Sequence, residues 1–231
     1  TFSRLVNNVH FKYEMDGAEI ERVNQIKDLG VIMDSRLTFV PHILDICVHA
    51  TKMLGFIFRN TVGFTSVDSL LVLYYTYVRS KLEYCSIVWD PYYKTHINVI
   101  ERIQRRFCKH LHFVIHGYYP PRSYPNENLL KDFKLYSLHN RRIFANIVFL
   151  FKLIHGYIQC SSLLRRIDFH VPRLNSRHPN TFSITACRTS QHQYSHLNNM
   201  CRCYDDIAPK VDVFIAKINS FRCLCLAVLE Q

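Results

Sequence analysis

The chain has 231 residues, 48% hydrophobic and 20% charged, and its 29 Lys plus Arg against 18 Asp plus Glu give a formal net charge of +11 at pH 7. That apolar content excludes an intrinsically disordered chain, and 6 Gly with 8 Pro exclude a collagen-like or linker-dominated one. The length accommodates one large domain or two small ones. The longest uncharged stretch with a helical look, Ser69 to Val78, is bounded by Asp68 and Arg79 and is too short to span a bilayer, so no membrane-crossing segment and no membrane partner are expected. The chain opens Thr1-Phe2-Ser3-Arg4, with neither an initiator Met nor an apolar signal segment, as a fragment or processed chain would and a secretory product would not. Nine cysteines, an odd number without the dense pairing of small disulfide scaffolds, point to a reducing intracellular location, nuclear or cytoplasmic. Cys47, Cys85, Cys108 and Cys225 stand among apolar residues at helical spacing and read as buried small hydrophobes.

The first 35 or so residues read as strands. Val9, Phe11, Tyr13 and Met15 alternate with polar residues, Asp16-Gly17 is a hairpin turn signal, and Ala18, Ile20 and Val23 follow on the return limb. A further short strand, Leu29 to Met33, ends at Asp34-Ser35. The period then becomes helical: Phe39, Ile43, Ile46, Ala50, Met53 and Ile57 form one apolar seam, with His42, Asp45, His49, Lys52 and Arg59 off it. Thr65-Ser66-Val67-Asp68 resembles a capping box opening a second helix, whose buried face would carry Val67, Leu70, Leu71, Tyr74, Tyr77 and Val78 and which would run to about Trp89, before Asp90-Pro91. A third helix spans about Thr95 to Phe113. At about 100° per residue, Ile97, Ile100, Ile103, Phe107, Cys108 and Leu111 share one side, and Arg102, Arg105, Arg106 and Lys109 cluster on the other. Pro120, Pro121 and Pro125 mark a loop and a boundary near Gly117 to Asn128. From Ser137 to His155 a helix is apolar almost all round, as a central buried element would be, and starts on the basic Asn140-Arg141-Arg142. The passage from about 168 to 200 is rich in Arg, His, Ser and Asn and reads as loop, and a last helix from Val211 to Leu229 carries Val211, Phe214, Ile215, Ile218, Phe221, Cys225 and Val228 on one face.

Catalytic chemistry finds little support in the residues. Cys203-Tyr204-Asp205-Asp206 invites comparison with polymerase aspartates, but Tyr204 directly abuts Asp205, and Ala208-Pro209 follows where a second hairpin strand would be needed. A solvated acidic pair before the final helix is the plainer reading, and Asp205 and Asp206 are expected not to be catalytic. Cys187, His192, His196, Cys201 and Cys203 are the one cluster with ligand-like spacing, and they fit none of the paired C-x₂-C patterns of zinc sites, so no metal is assigned. G-x-S-x-G, a Walker-type loop and H-E-x-x-H are all absent. The positive signal is charge. Arg102, Arg105, Arg106 and Lys109 have only Glu101 among them, and Arg141-Arg142 repeats the bias, so these six are the candidate nucleic-acid-binding residues. Phosphate binding needs cations held on a rigid face, which an amphipathic basic helix supplies; an acidic protein or an anionic membrane surface would answer to the same charge.

Taken together, several segments resemble the region that follows the polymerase core in jockey-like non-LTR retrotransposon reverse transcriptases. They are Lys27-Asp28-Leu29-Gly30-Val31-Ile32-Met33-Asp34; Leu37-Thr38-Phe39 with His42-Ile43; Leu54-Gly55-Phe56-Ile57-Phe58-Arg59; Leu73-Tyr74 with Val78-Arg79-Ser80-Lys81-Leu82-Glu83-Tyr84-Cys85-Ser86 and Val88-Trp89-Asp90-Pro91; and Ile100-Glu101-Arg102-Ile103-Gln104-Arg105-Arg106-Phe107. The resemblance is dense from Phe11 to Leu111 and looser beyond. It departs at Ser80, where the family often has Pro, and at Tyr204-Asp205, where Tyr-Asn is common. The resemblance implies that residues 1–36 are trailing palm strands near the primer grip, that 37–116 form a helical thumb-like domain, and that 117–231 form a C-terminal helical extension with a loop-rich 168–200 passage. It places the catalytic aspartates and their Mg²⁺ in a palm upstream of this chain, so the chain itself would hold no cofactor and no polymerase chemistry. Its partners would be the RNA or DNA template-primer and the remainder of the polymerase. Gly30, Arg79, Glu83, Tyr84 and Trp89 then read as structural motif residues, Arg79 and Glu83 as an intrahelical pair and Trp89 as a core anchor.

The expected fold is mainly α, a helical thumb-type bundle with a small N-terminal β-hairpin element. The expected function is that of a reverse transcriptase fragment gripping nucleic acid. The alternative is a non-enzymatic helical protein-interaction module, or a degenerate relic with no selected activity.

Overall fold

The computed structural model describes residues 2, 11–171, 180–184, 189, 193–214 and 217–229. The fold is mainly helical with small antiparallel hairpins near the N-terminus. The chain forms two compact units, Thr1–Cys85 with Tyr93–Pro120, and Ser86–Tyr92 with Pro121–Gln231. Residues 1–36 thus share a unit with the helices that follow, the division at Pro120 and Pro121 falls in the proline-rich loop, and a short segment around Trp89 belongs to the second unit.

In the first unit, β1 (Glu14–Met15) pairs antiparallel with β2 (Ala18–Glu19). Asp16 (φ 51°) and Gly17 (φ 78°) both take the positive φ that a type I′ turn requires. Val9, assigned to this hairpin from its pattern, lies outside the described residues. β3 (Gln25–Asp28) and β4 (Val31–Asp34) form a second antiparallel hairpin. Leu29 and Gly30, expected within a strand, are instead its two-residue turn, with φ 44° and 83° and Leu29 83% exposed. The apolar run conceals the turn in the sequence, where Gly30 is its only mark.

Asp34 closes this hairpin onto the first helix. Its Oδ1 accepts from the N–H groups of Thr38 and Phe39, both at 2.8 Å, and its Oδ2 accepts from the Thr38 hydroxyl at 3.0 Å. Burial pushes the carboxyl up, but these bonds outweigh it and hold Asp34 below the ordinary carboxylate range. Helix α1 (Val40–Asn60) follows, with proline in its first turn, where a missing N–H costs nothing. Ile43, Cys47, Ala50, Leu54 and Ile57 are its buried seam, so the stripe lies slightly off the expected one and leaves Ile46 and Met53 half-buried. His42, expected off the seam, is 2% exposed because its Nδ1 accepts from the Ile32 N–H of β4 at 3.3 Å; burial lowers its pKa and favours the neutral ring that can accept. By length and composition α1 alone among the described helices could cross a membrane, at a mean hydropathy of 1.2 over its most apolar window.

Helix α2 (Val67–Tyr74) is capped by Ser66, whose side chain accepts from the Ser69 N–H at 3.3 Å. It widens into a π-helical segment, Tyr75–Arg79, and tightens again as α3 (Ser80–Glu83). Leu70, Tyr74, Val78 and Leu82 are each fully buried. Residues four apart drift around an α-helix, and the wider π turn takes up the drift and keeps all four on one face. The helix expected to run on to Trp89 ends at Glu83. Tyr84 turns extended (ψ 125°), Cys85 goes left-handed (φ 53°), and Cys85 and Tyr77, expected buried, are exposed.

Helix α5 (Lys94–His116) ends at Gly117, left-handed at φ 77°, whose N–H donates to the Phe113 carbonyl at 2.8 Å. Its buried face carries Ile100, Ile103, Phe107, Cys108 and Leu111 as expected, while Ile97, expected with them, is half-buried. Tyr74 stacks on Phe107 (centroids 4.1 Å, 8° between planes) and donates its hydroxyl proton to Gln104 Oε1 at 2.9 Å, which satisfies a glutamine only 1% exposed.

In the second unit, the short α4 (Ser86–Trp89) packs on α7 (Leu138–Ile154). Ser137 caps α7 by accepting from the Asn140 N–H at 3.0 Å, and no residue of α7 is exposed, as expected of a central helix. The short α6 (Asn126–Asp132) and α8 (Ser161–Leu164) lack the length for a periodic signal and were not expected. Helix α9 (His196–Asp205) begins inside the passage read as loop. The last helix, α10 (Ile218–Leu229), starts later than expected: Val211 and Val213 are buried in irregular backbone, Phe214 is 54% exposed, and Ile215 lies outside the described residues. The Tyr204 hydroxyl holds that backbone by donating to the Val211 carbonyl and accepting from the Val213 N–H, both at 2.9 Å. Phe151 of α7 stacks on Phe221 of α10 (4.3 Å, 26°) at the centre of this core.

Candidate nucleic-acid interface

The basic face of α5 is built by its own back. With Ile100, Ile103, Phe107 and Leu111 buried, a helix of this pitch must turn residues 102, 105, 106 and 109 outward. Arg102 and Arg106 are exposed, and Arg105 and Lys109 are half-buried. Among the described residues no ion pair engages Arg102, Arg106 or Lys109. The Arg106 guanidinium lies 5.9 Å from the Phe58 ring of α1, a cation–π distance that steadies its stem, and Phe58 in turn meets the His110 ring at a tilt, with centroids 4.0 Å apart. Burial lowers the His110 pKa, so the stripe's charge comes from its Arg and Lys residues. Four long cations on about two turns of one rigid helix can neutralise successive phosphates.

The second basic pair divides. Arg141 is half-buried. Arg142, expected to face solvent, is 1% exposed: its Nε donates to Asp90 Oδ1 at 2.9 Å, and Asn146 Nδ2 donates to Asp90 Oδ2 at 2.9 Å. Arg142 is withdrawn from the candidate interface because positions 142, 146 and 150 share the core-facing side of α7, where Asp90 at the end of α4 supplies a counter-charge. The run Asn140-Arg141-Arg142 shows charge but not which side of the helix bears it.

The motif residues meet one another within the first unit. Tyr84 donates its hydroxyl proton to the Leu29 carbonyl at 2.9 Å, and a Cβ at Gly30 would lie 3.4 Å from the Tyr84 ring, so the β3–β4 turn and the end of α3 are one contact. Arg79 lies over the Tyr75 ring at 3.7 Å, with its Nε 3.9 Å from Glu83 Oε2. In the second unit, Trp89 is 1% exposed.

Asp205 and Asp206 sit at the C-terminal end of α9, not on a hairpin. Asp205 Oδ1 accepts from the Thr181 N–H at 3.0 Å, and burial pushes this carboxyl up. Among the described residues no group of three or more His, Cys, Asp or Glu could hold a metal ion, and Cys187 and His192 lie outside them. The His196 Nε2 bonds to the Val88 carbonyl, and burial pushes the thiols of Cys201 and Cys203 up to about 12. Gln104 and Asp90, both central to packing, were not singled out from the sequence; a lone Gln on an apolar face and an Asp before Pro91 were the available signals. Comparisons with protein-family models, with curated proteins and with solved structures found no match.

Proposed function

We propose that this chain is a nucleic-acid-gripping helical module of the kind that follows the polymerase core in jockey-like non-LTR reverse transcriptases, contributing template-primer hold and no catalytic carboxylates. The observation that carries this reading is α5: three cations without acidic partners among the described residues, and a fourth beside them, on the outer face of a helix whose other face is buried. Such a face binds the phosphate backbone by releasing condensed counterions, which requires rigid charge and no reacting group. The resembling segments support the family assignment. The contact between Gly30 and Tyr84 gives two of their residues a shared structural purpose. Phe11, Tyr13, Met15, Ile20 and Val23 are each more than half exposed on or beside the first hairpin, which suits strands that lie against the remainder of a polymerase. The same exposed side chains would serve the alternative, a protein-interaction module. Mg²⁺ in this reading belongs to the polymerase palm.

Arg106→Ala tests the reading. Binding of the full chain to a duplex should weaken alike for all sequences, with the salt slope reduced by about 1 and stability moved by less than about 0.5 kcal/mol. Unchanged affinity and slope would assign the stripe to surface solvation. Lost stability with affinity intact would assign it to bracing.

A further inference from the structure

The basic stripe of α5 ends in exposed aromatic rings. Continuing the outward side of the helix beyond Lys109 by one turn brings Phe113, 39% exposed, and there Gly117 reverses the chain and folds the next two residues back on the last turn. Tyr119, 59% exposed, stacks on Phe113 with centroids 4.7 Å apart and 16° between planes. Tyr118, 60% exposed, stands beside it with its ring edge-on to His112 at 5.3 Å, and His112 Nδ1 bonds the Tyr118 carbonyl at 3.1 Å. These rings are anchored by backbone and ring contacts, yet Tyr118 and Tyr119 stay more than half exposed. The open faces of Tyr118 and Tyr119 thus stand at the end of a row of cations. From Arg102 to Phe113 the stripe is about 16 Å long, the span of a few nucleotides.

We propose that the Phe113–Tyr119 stack, with Tyr118, is a base-stacking platform, so that α5 holds a nucleic acid with unpaired bases: the cations track its phosphates and Tyr119 extends its ring pile by one base. The inference rests on the nucleic-acid reading above and narrows it to a single strand, or to the unpaired end of a duplex. Charge complementarity selects the occupant. A polyanion answers the row of cations, and among polyanions only one carrying bases also answers the rings. A π-face is common to all bases, so no sequence preference is expected.

The test uses the full chain with three fluorescently labelled probes of equal phosphate number: a single strand, the same strand with abasic sites, and a blunt duplex. Tyr119→Ala, at an exposed position and checked by an unchanged melting temperature, should weaken single-strand binding about tenfold. It should leave the abasic strand, the duplex and every salt slope as they were. Tyr119→Phe should restore the single-strand affinity, because the ring and not the hydroxyl stacks. Equal loss on the abasic strand, or no loss on any probe, would overturn the platform. If Tyr119→Ala has no effect while Arg106→Ala weakens all three probes, the platform fails and the phosphate grip stands; if neither variant has an effect on any probe, the nucleic-acid reading fails with it.

Discussion

Asp90→Ala will cost the second unit about 3–5 kcal/mol of stability, the range for breaking a buried ion pair by removing one partner. The carboxylate is 9% exposed and receives both Arg142 Nε and Asn146 Nδ2 at 2.9 Å. Without it the guanidinium, 1% exposed, loses the one anion that bonds it among the described residues, where its two terminal nitrogens are already buried without a hydrogen-bond partner. A buried cation without a counter-charge cannot be resolvated while α7 remains packed. The sequence holds 1 Trp, Trp89, which belongs to this unit, so tryptophan fluorescence in urea reports its unfolding directly. The midpoint should fall steeply with the slope unchanged. Replacing the set together, as Asp90→Leu with Arg142→Met and Asn146→Leu, should cost less than the single change, because no uncompensated charge remains. A single variant that unfolds at the wild-type midpoint would show that the pair contributes little.

Phe107→Ala will cost the first unit about 3–5 kcal/mol, the range for truncating a fully buried phenylalanine. Its ring is 0% exposed and stacked on Tyr74, so the change opens a cavity and also removes one wall around the buried hydrogen bond from Tyr74 to Gln104. The loss should appear as a lowered midpoint in far-UV circular dichroism. It should also carry nucleic-acid binding with it, although Phe107 lies on the opposite face from the cations, because the stripe exists only while the back of α5 is held. A Phe107→Ala chain that melts as wild type would mean that α5 is not anchored as described.

The elements that were legible in the sequence share a cause. α5 and α7 are long, so a helical period repeats enough times to be unambiguous, and Ser137 and Gly117 punctuate them with caps. The outward side of α5 follows from the same count, which is why the stripe is legible in the sequence. What was hidden depends on other parts of the chain. The turn at Leu29-Gly30 sits in an apolar run, and its purpose appears only when Tyr84 closes over it. The break after Glu83 lies where Tyr84 turns extended and Cys85 goes left-handed, which the local residues do not announce. Arg142 carries the same charge as its exposed counterparts, and only the approach of Asp90 separates a structural arginine from a binding one. The rings at Tyr118 and Tyr119 were not singled out in the sequence, because the stacking of Tyr119 onto the end of the stripe needs the reversal at Gly117.

The salt dependence of binding tests the central claim most directly. A stripe of four cations predicts that log affinity of the full chain for duplex falls linearly with log salt, at a slope near −3.6 if each neutralises one phosphate. The double variant Arg102→Ala with Arg106→Ala, both at exposed positions, should reduce that slope by about 2 while leaving the melting temperature unchanged. A flat salt dependence in the wild type, or a double variant that binds with the wild-type slope, would contradict the account.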